Sequence, residues 1–429
     1  MKYDPIDANL FIQNRKNFIA KMKPSSVAVF TSNDEMPRNG DQCFPFRQSS
    51  DFFWLTGIDQ EKSFLILAPD CPNPKLREVL LVVETSETMA IWYGKRHTKE
   101  EAQKVSGIQN VQWNTGFDAA LREVMAFADN AYINTNEYFR FSTDVPVQEM
   151  RLANDIKNKF PAHAFCRAAP ILSYLRATKS AAEIALMQQA IDITEKAFRR
   201  VLAFTKPGVM EYELEAEITH EFIRNRAIGH AYYPIIASGK SACVLHYIEN
   251  NKECKDGDLI LFDFGAEYAN YAGDLSRTIP VNGKFTPRQK DVYNACLRVM
   301  RKATSMLVVG ATIDSYHQEV CKCMEKELIG LGLFTEVDVK NQNPASPLFM
   351  KYFMHGTSHY MGLDVHDVGS RYEPLRPGMV FSCEPGIYIP EEGIGIRIEN
   401  DILITENGPV DLMKNIPVEV EEIERLMKK

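Results

Sequence analysis

The sequence has no run approaching the roughly 20 apolar residues that a membrane-crossing helix needs. Positive charge is in deficit, with 49 Lys and Arg against 57 Asp and Glu and a formal net charge of −8. That balance lacks the basic footprint of a nucleic-acid binder. Cysteine is scarce and odd in number, nine residues in a chain of 429, which is too long to need a disulfide framework. Only Cys321 and Cys323 lie close together, and C-x-C lacks the paired C-x-x-C spacing of a structural zinc site. Reduced, mostly buried thiols are therefore expected. Met1–Lys23 shows no apolar h-region and no small-residue cleavage site. Together these absences place the expected protein in the cytoplasm, with neither membrane nor nucleic acid as a partner.

What is there is an ordinary globular composition, 45% hydrophobic and 25% charged. At roughly 150 residues per domain, two or three domains are expected. Residues 1–165 read by periodicity as a mixed α/β unit. An amphipathic helix with Leu10, Phe11, Phe18, Ile19 and Met22 leads into the strand-like Val27–Phe30. Apolar runs follow at Asp51–Gly57, Ser63–Ala68, Glu78–Val83 and Ile91–Gly94, alternating with helical stretches such as Phe117–Ala128. The Ala-rich segment Pro161–Pro170, with a proline at each end, is expected to be the linker to a domain spanning 166–429.

In that second part, long helices are expected at Ser180–Phe204 and Glu211–Asn225, separated by the stop signal Lys206-Pro207-Gly208. Two more are expected at Pro287–Leu307 and Thr312–Leu331, separated by Gly310. Each pair is followed by short apolar strands. Lys255–Gly265 (KDGDLILFDFG) and Arg376–Gly386 (RPGMVFSCEPG) align under a constant offset of 121. The offset pairs Lys255 with Arg376, Gly257 with Gly378, Asp263 with Glu384, and Gly265 with Gly386. Chance likeness of two short strands would not bring the helix pairs along, so duplication is the better reading.

Asp263 stands in an otherwise apolar strand, where an unpaired carboxylate costs several kcal/mol or is forced neutral. Eleven residues on, Asp274 is placed to converge with it across neighbouring strands. In the second half Glu384 ends a strand and Glu399 follows, with Arg397 on the same strand face. A lone strand aspartate is more often salt-bridged than a ligand. Four acids at equivalent places of a duplicated unit would repel one another without a cation among them.

The segment Met354–Asp367 adds His355, His359 and His366. Glycines at 356 and 362 disfavour a helix there, so His355 and His359 are not a helical zinc-binding pair. One histidine with four carboxylates is a hard, oxygen-rich set. It suits two divalent ions of the manganese, cobalt or zinc kind, about 3.5–4 Å apart. Gly239-Lys240-Ser241 resembles the end of a phosphate-binding loop, but Pro234 stands where the first glycine belongs. His220-Glu221 begins an H-E-x-x-H that Arg224 breaks. Cys383 adjoins Glu384, yet strand alternation turns it to the opposite face, where it is expected to be packed and inert.

FDFGAEYANYAGDLSRTIPVNGKFT, HGTSHYMGLDVHDVG, EPGIYI and GIGIRIENDILIT resemble the ligand blocks of the pita-bread metallopeptidases, peptidase family M24. Within that superfamily the chain is most similar to the Xaa-Pro aminopeptidases (aminopeptidase P), and PFRQSSDFFWLTG resembles their N-terminal domain signature. The resemblance implies an α/β protein with a mixed N-terminal creatinase-like domain. A pita-bread catalytic domain with an internal pseudo-twofold duplication would follow it. It implies two divalent ions, Mn(2+) foremost and Co(2+) or Zn(2+) as options. Asp263 would chelate one ion, Asp274 and Glu399 would bridge both, and His359 and Glu384 would complete the other. A metal-bridging hydroxide would attack the scissile carbonyl, Glu384 would shuttle its proton, and His366 would hydrogen-bond the developing oxyanion. His246 and His355 resemble substrate-side histidines, and Arg397 and Tyr388 resemble groups that orient ligands and substrate. The implied partners are peptides with proline at the second position, and the implied assembly is a homo-dimer or homo-tetramer.

Two features qualify this match. Between Pro390 and Ile394 the chain is short where some relatives carry an insertion, and the N-terminal domain is shared with prolidases, which cleave Xaa-Pro dipeptides. A prolidase-like dipeptidase is thus the alternative. A catalytically inactive peptide- or protein-binding module would be marked by lost ligands, and all five positions are filled.

Overall fold

The computed structural model describes residues 3–428, which divide into two compact units, Asp4–Leu175 and the chain from Arg176 onward together with Tyr3. The first unit opens with helix α1 (Ala8–Ile19), whose N-terminus is capped by Asp7 accepting the Asn9 N–H at 2.9 Å. A six-stranded mixed sheet follows, built from β1 (Ser26–Thr31), β2 (Phe64–Leu67), β3 (Glu78–Val82), β4 (Asn110–Trp113), β5 (Asn130–Ile133) and β6 (Ala164–Arg167). Its order is β4-β3-β2-β1-β5-β6, antiparallel at β1–β2 and β2–β3 and parallel elsewhere. Val27, Val29, Ile66, Val79 and Leu81 pack one sheet face against Leu121, Val124 and Ile156. Each such burial is worth about 1.5–3 kcal/mol.

Three expectations fail in this unit. Asp51–Gly57 coils into helix Ser50–Thr56, capped by Ser49 and closed by Gly57 in the left-handed region (φ 68°). Phe52 to Leu55 are all buried, so the run shows no period that separates a helix from a strand. Ile91–Gly94 likewise finishes helix Glu87–Tyr93. The segment Pro161–Pro170 is no linker: it holds β6, paired in parallel with β5, and the compact units divide further on, at Leu175/Arg176.

The second unit runs twice through one arrangement. Helices α2 (Ala181–Phe204) and α3 (Glu211–Arg224) precede the antiparallel sheet of β7 (Ile235–Ser238), β8 (Leu259–Phe264) and β9 (Leu275–Pro280). Helices α4 (Pro287–Met306) and α5 (Ile313–Gly330) precede β10 (Val380–Cys383) and the hairpin of β11 (Gly386–Ile389) with β12 (Ile394–Arg397). Strands β13 (Asn400–Thr405) and β14 (Gly408–Asp411) then join β10 in a second antiparallel sheet, ordered β10-β13-β14. All four helices end within a residue of where the sequence puts them. The caps explain this: Ser180 donates its N–H to Glu183 Oε2 at 2.8 Å, and Thr286 and Gln289 form the same box ahead of Pro287.

The duplication sets where the acids fall. Asp263 lies at the end of β8, and Asp274 immediately precedes its partner β9, with Phe264 opposite Leu275. Glu384 immediately follows β10, and Glu399 immediately precedes its partner β13, with Cys383 opposite Asn400. Each half thus delivers two carboxylates to the same end of a strand pair. Gly265, between the first two acids, has no room for a side chain, because a Cβ would lie 1.6 Å from the Gly273 carbonyl oxygen. The short turn joining β11 to β12 is clamped by ion pairs of Glu392 with Arg288 at 2.7 Å and Glu391 with Lys351 at 2.7 Å. Among the described residues no helix is long and apolar enough to cross a membrane.

Candidate metal centre

Asp263 and Asp274 do converge, and a residue absent from the sequence reading joins them. The Tyr232 hydroxyl lies 2.6 Å from Asp263 Oδ1 and within hydrogen-bond distance of Asp274 Oδ1. A phenol has one proton to donate, so it can satisfy only one of these two carboxylates at a time. Burial, with Asp263 and Asp274 adding to it, pushes the Tyr232 phenol well above its ordinary range. Asp274 is buried, and its backbone N–H donates to Asp401 Oδ2 at 3.1 Å.

His359 faces the same acids from the second half. Its Nδ1 lies 3.1 Å from the Tyr360 carbonyl, which fixes Nδ1 as the protonated nitrogen and turns Nε2 inward. Nε2 stands 3.4 Å from Asp274 Oδ2 and 3.6 Å from Glu384 Oε1. A lone pair pointed at two carboxylates calls for a positive charge between them. Without an ion that charge is a proton: burial pulls the imidazole down, but Asp274 and Glu384 outweigh it and raise His359 to about 9. Burial likewise raises Glu384 to about 7, with Asp274 and Asp263 adding to the push and His359 and Arg397 opposing it. Glu399 is raised well above its ordinary range by burial and then by Asp274, Glu384 and Asp263.

The ligand atoms of Asp274, His359 and Glu399 all lie within 4.8 Å of one another, a spacing that encloses one cation. Asp263 and Glu384 flank this trio. Four carboxylates and an imidazole, with Asp274, Glu384, Glu399 and His359 all raised for want of positive charge, fit hard divalent ions in their donor chemistry.

One guanidinium braces the cluster. Arg397 donates from Nη2 to Asp263 Oδ2 at 2.6 Å, from Nη1 to the Tyr388 hydroxyl at 2.9 Å and from Nε to Ser276 Oγ at 2.9 Å. Ser276 in turn donates to Glu399 Oε2 at 2.6 Å. The Tyr388 hydroxyl sits 2.9 Å from His355 Nε2, while His355 Nδ1 lies 2.8 Å from the Gly356 carbonyl. His355 is neutral in this setting, lowered to about 3 by burial and by Arg397. The His355–His359 stretch is not helical, in line with Gly356.

His366 is exposed and packs edge-on against His359, ring centroids 4.3 Å apart. His246 is exposed on the turn after Gly239–Cys243, with no hydrogen bond or ring contact to the other site residues among those described. Cys383 is buried against Thr304 and Tyr316, its thiol pushed up to about 11 by burial, as strand alternation requires of a packed residue. Three contributors escaped the sequence reading. Ser276 and Asp401 lie two residues beyond Asp274 and Glu399, so the two-residue strand period could have found them. Tyr232 precedes Asp263 by 31 residues, and no periodicity links the two.

The model of metallopeptidase family M24 matches residues 185–406, more than half of the chain. The chain belongs to family M24. A second model, the aminopeptidase P N-terminal domain, matches residues 11–133 of this M24 chain. The Xaa-Pro aminopeptidase of Escherichia coli is 37% identical over 434 residues, covering 97% of each chain. The Xaa-Pro dipeptidase of Mus musculus is 28% identical, covering 97% of this chain and 93% of its own. Among solved structures, zinc-substituted E. coli aminopeptidase P in complex with product superposes with a TM-score of 0.87, at 34% identity and 99% coverage of both chains.

Proposed function

We propose that this M24 chain is a metal-dependent Xaa-Pro aminopeptidase, which hydrolyses the first peptide bond of peptides with proline at the second position. The convergence of Asp263, Asp274, His359, Glu384 and Glu399 on one buried, charge-deficient centre carries the hydrolase reading. The full-length similarity to an Xaa-Pro aminopeptidase supports the substrate class. All five residues are proposed as the groups that would hold two divalent ions, with Mn(2+) as the native metal. Such a pair, when bound, would supply a water acidic enough to act as a nucleophile near neutral pH and would polarise the scissile carbonyl.

The chain's own groups do the rest. Glu384 takes up a proton at its carboxylate and releases it to the departing proline nitrogen. His366 donates to the oxygen of the scissile carbonyl as charge builds there. His355 and Tyr388, already hydrogen-bonded to each other, are proposed to line the substrate side together with His246. Arg397 keeps Asp263 and Tyr388 in place. The Xaa-Pro bond has no amide hydrogen, so a site that grips the free amine and the ring selects it where backbone-pairing peptidases do not. We further propose a cytoplasmic homo-dimer or homo-tetramer; nine unpaired cysteines, five of them buried, support a reducing compartment.

A chain-length series tests this reading. Metal-depleted protein restored with Mn(2+) is expected to release Xaa from Xaa-Pro-Yaa and longer peptides, and to spare the Xaa-Ala counterparts. Turnover confined to Xaa-Pro dipeptides would make the protein a prolidase.

A further inference from the structure

The segment that presents His359 and His366 is fastened by a buried ion cluster to which none of the proposed ligands contributes. Asp367, directly after His366, is 4% exposed. Its Oδ1 lies 2.6 Å from Arg176 Nη2 and its Oδ2 lies 3.1 Å from Lys179 Nζ, and both cations are themselves buried. Arg176 Nη2 also reaches Asp364 Oδ2 at 2.9 Å, so two cations meet two carboxylates. The Asp367 N–H donates to the Tyr360 carbonyl at 2.9 Å, which closes residues 360–367 into a loop. Gly362 within that loop has no space for a side chain. A Cβ there would stand 2.1 Å from Asp367 Oδ2 and 2.8 Å from Lys179 Cε.

Charges taken out of water are costly, and a cluster of hydrophobic residues could fill the same space as well or better. What ion pairs add is a fixed register. The carboxylate of Asp367 can meet Arg176 and Lys179 together along one backbone path, and on that path His366 is turned out against the His359 ring. We propose that Asp367 is a positioning residue, whose pairs with Arg176 and Lys179 hold His366 where the substrate oxygen develops charge. This rests on the reading of the chain as an Xaa-Pro aminopeptidase with His366 as a hydrogen-bond donor.

Asp367→Asn keeps the shape of the side chain and a bond from Arg176 while removing the charge. It is expected to lower kcat about 100-fold, the scale of a lost oxyanion donor, with KM within about 3-fold and Mn(2+) content unchanged. Added to His366→Ala, it is expected to lower kcat no further. Wild-type kcat in Asp367→Asn, lost Mn(2+), or a fully multiplicative loss in the double variant would overturn the proposal. Should Asp367→Asn not fold, Lys179→Met alone and with His366→Ala decides by the same criteria. Hydrogen–deuterium exchange of residues 359–368 needs no substrate and is expected to quicken in the Asp367 or Lys179 variant but not in His366→Ala. Unchanged exchange overturns the positioning role. Quickened exchange in a protein that cleaves no Xaa-Pro peptide would uphold it and reject only the substrate assignment.

Discussion

Replacing His359 with alanine is expected to abolish turnover of an Xaa-Pro-Yaa peptide, a loss of about a thousandfold or more in kcat. Metal ions contribute several kcal/mol to such hydrolyses, and each 1.36 kcal/mol is a factor of ten. The imidazole is the one nitrogen donor in the cluster, and its Nε2 points at Asp274 and Glu384 from 3.4 and 3.6 Å. Removing it deprives an ion of a ligand and leaves two carboxylates facing each other. Asp274→Asn is expected to do the same from the other side, since Asp274 lies within reach of Tyr232, His359 and Glu399 alike. Both variants should keep a wild-type far-ultraviolet circular dichroism spectrum, because the sheets and helix pairs are built without these side chains. Retained turnover in either folded variant would remove the proposed ligand set.

The second large effect is on stability, and its sign changes with the ion. Glu384, raised to about 7 from an ordinary 4.5, holds an extra proton in the folded state between those values. Its contribution to stability therefore falls as pH rises through that window. His359, raised to about 9 from 6.5, contributes fully below 6.5 and loses that contribution as pH rises through 9. Glu399 is shifted in the same direction as Glu384. His355, lowered to about 3 from 6.5, gains stability as pH rises to about 6.5 and offsets part of this, so the ion-free protein should lose melting temperature mainly from about pH 6.5 to pH 9. Ions displace these protons, so binding strengthens as pH rises and fails early in acid. At a free ion concentration 100 times Kd, binding adds about 2.7 kcal/mol, or several degrees in Tm. Scanning calorimetry at pH 5.5, 7 and 8.5, with and without Mn(2+), should show an increment that grows with pH. An increment that is flat, or largest at pH 5.5, contradicts the account.

Much of this centre is legible in the sequence because duplication makes it redundant. Asp263 and Glu384 align under one offset, and in each half the second acid stands just ahead of the partner strand, which the registers at Leu275 and Asn400 reproduce. The helices were legible through their caps, Ser180 with Glu183 and Thr286 with Gln289. Legibility ended where packing overrides local pattern. Phe52–Leu55 is buried on every side and shows no period, so a helix there looks like a strand. The strand Ala164–Arg167 is short and half-exposed at a sheet edge, and its flanking prolines disguise it as a linker. Tyr232 reaches the centre, and Arg176 and Lys179 reach Asp367, only through tertiary folding, and no spacing encodes that.

The most direct measurement is the number of ions bound per chain against turnover. Metal-depleted protein is titrated with Mn(2+), and bound metal is read by elemental analysis alongside release of Xaa from Xaa-Pro-Yaa. The account predicts two ions per chain, no turnover without them, and loss of both binding and turnover in Asp274→Asn. Full turnover in protein carrying no divalent ion would contradict it.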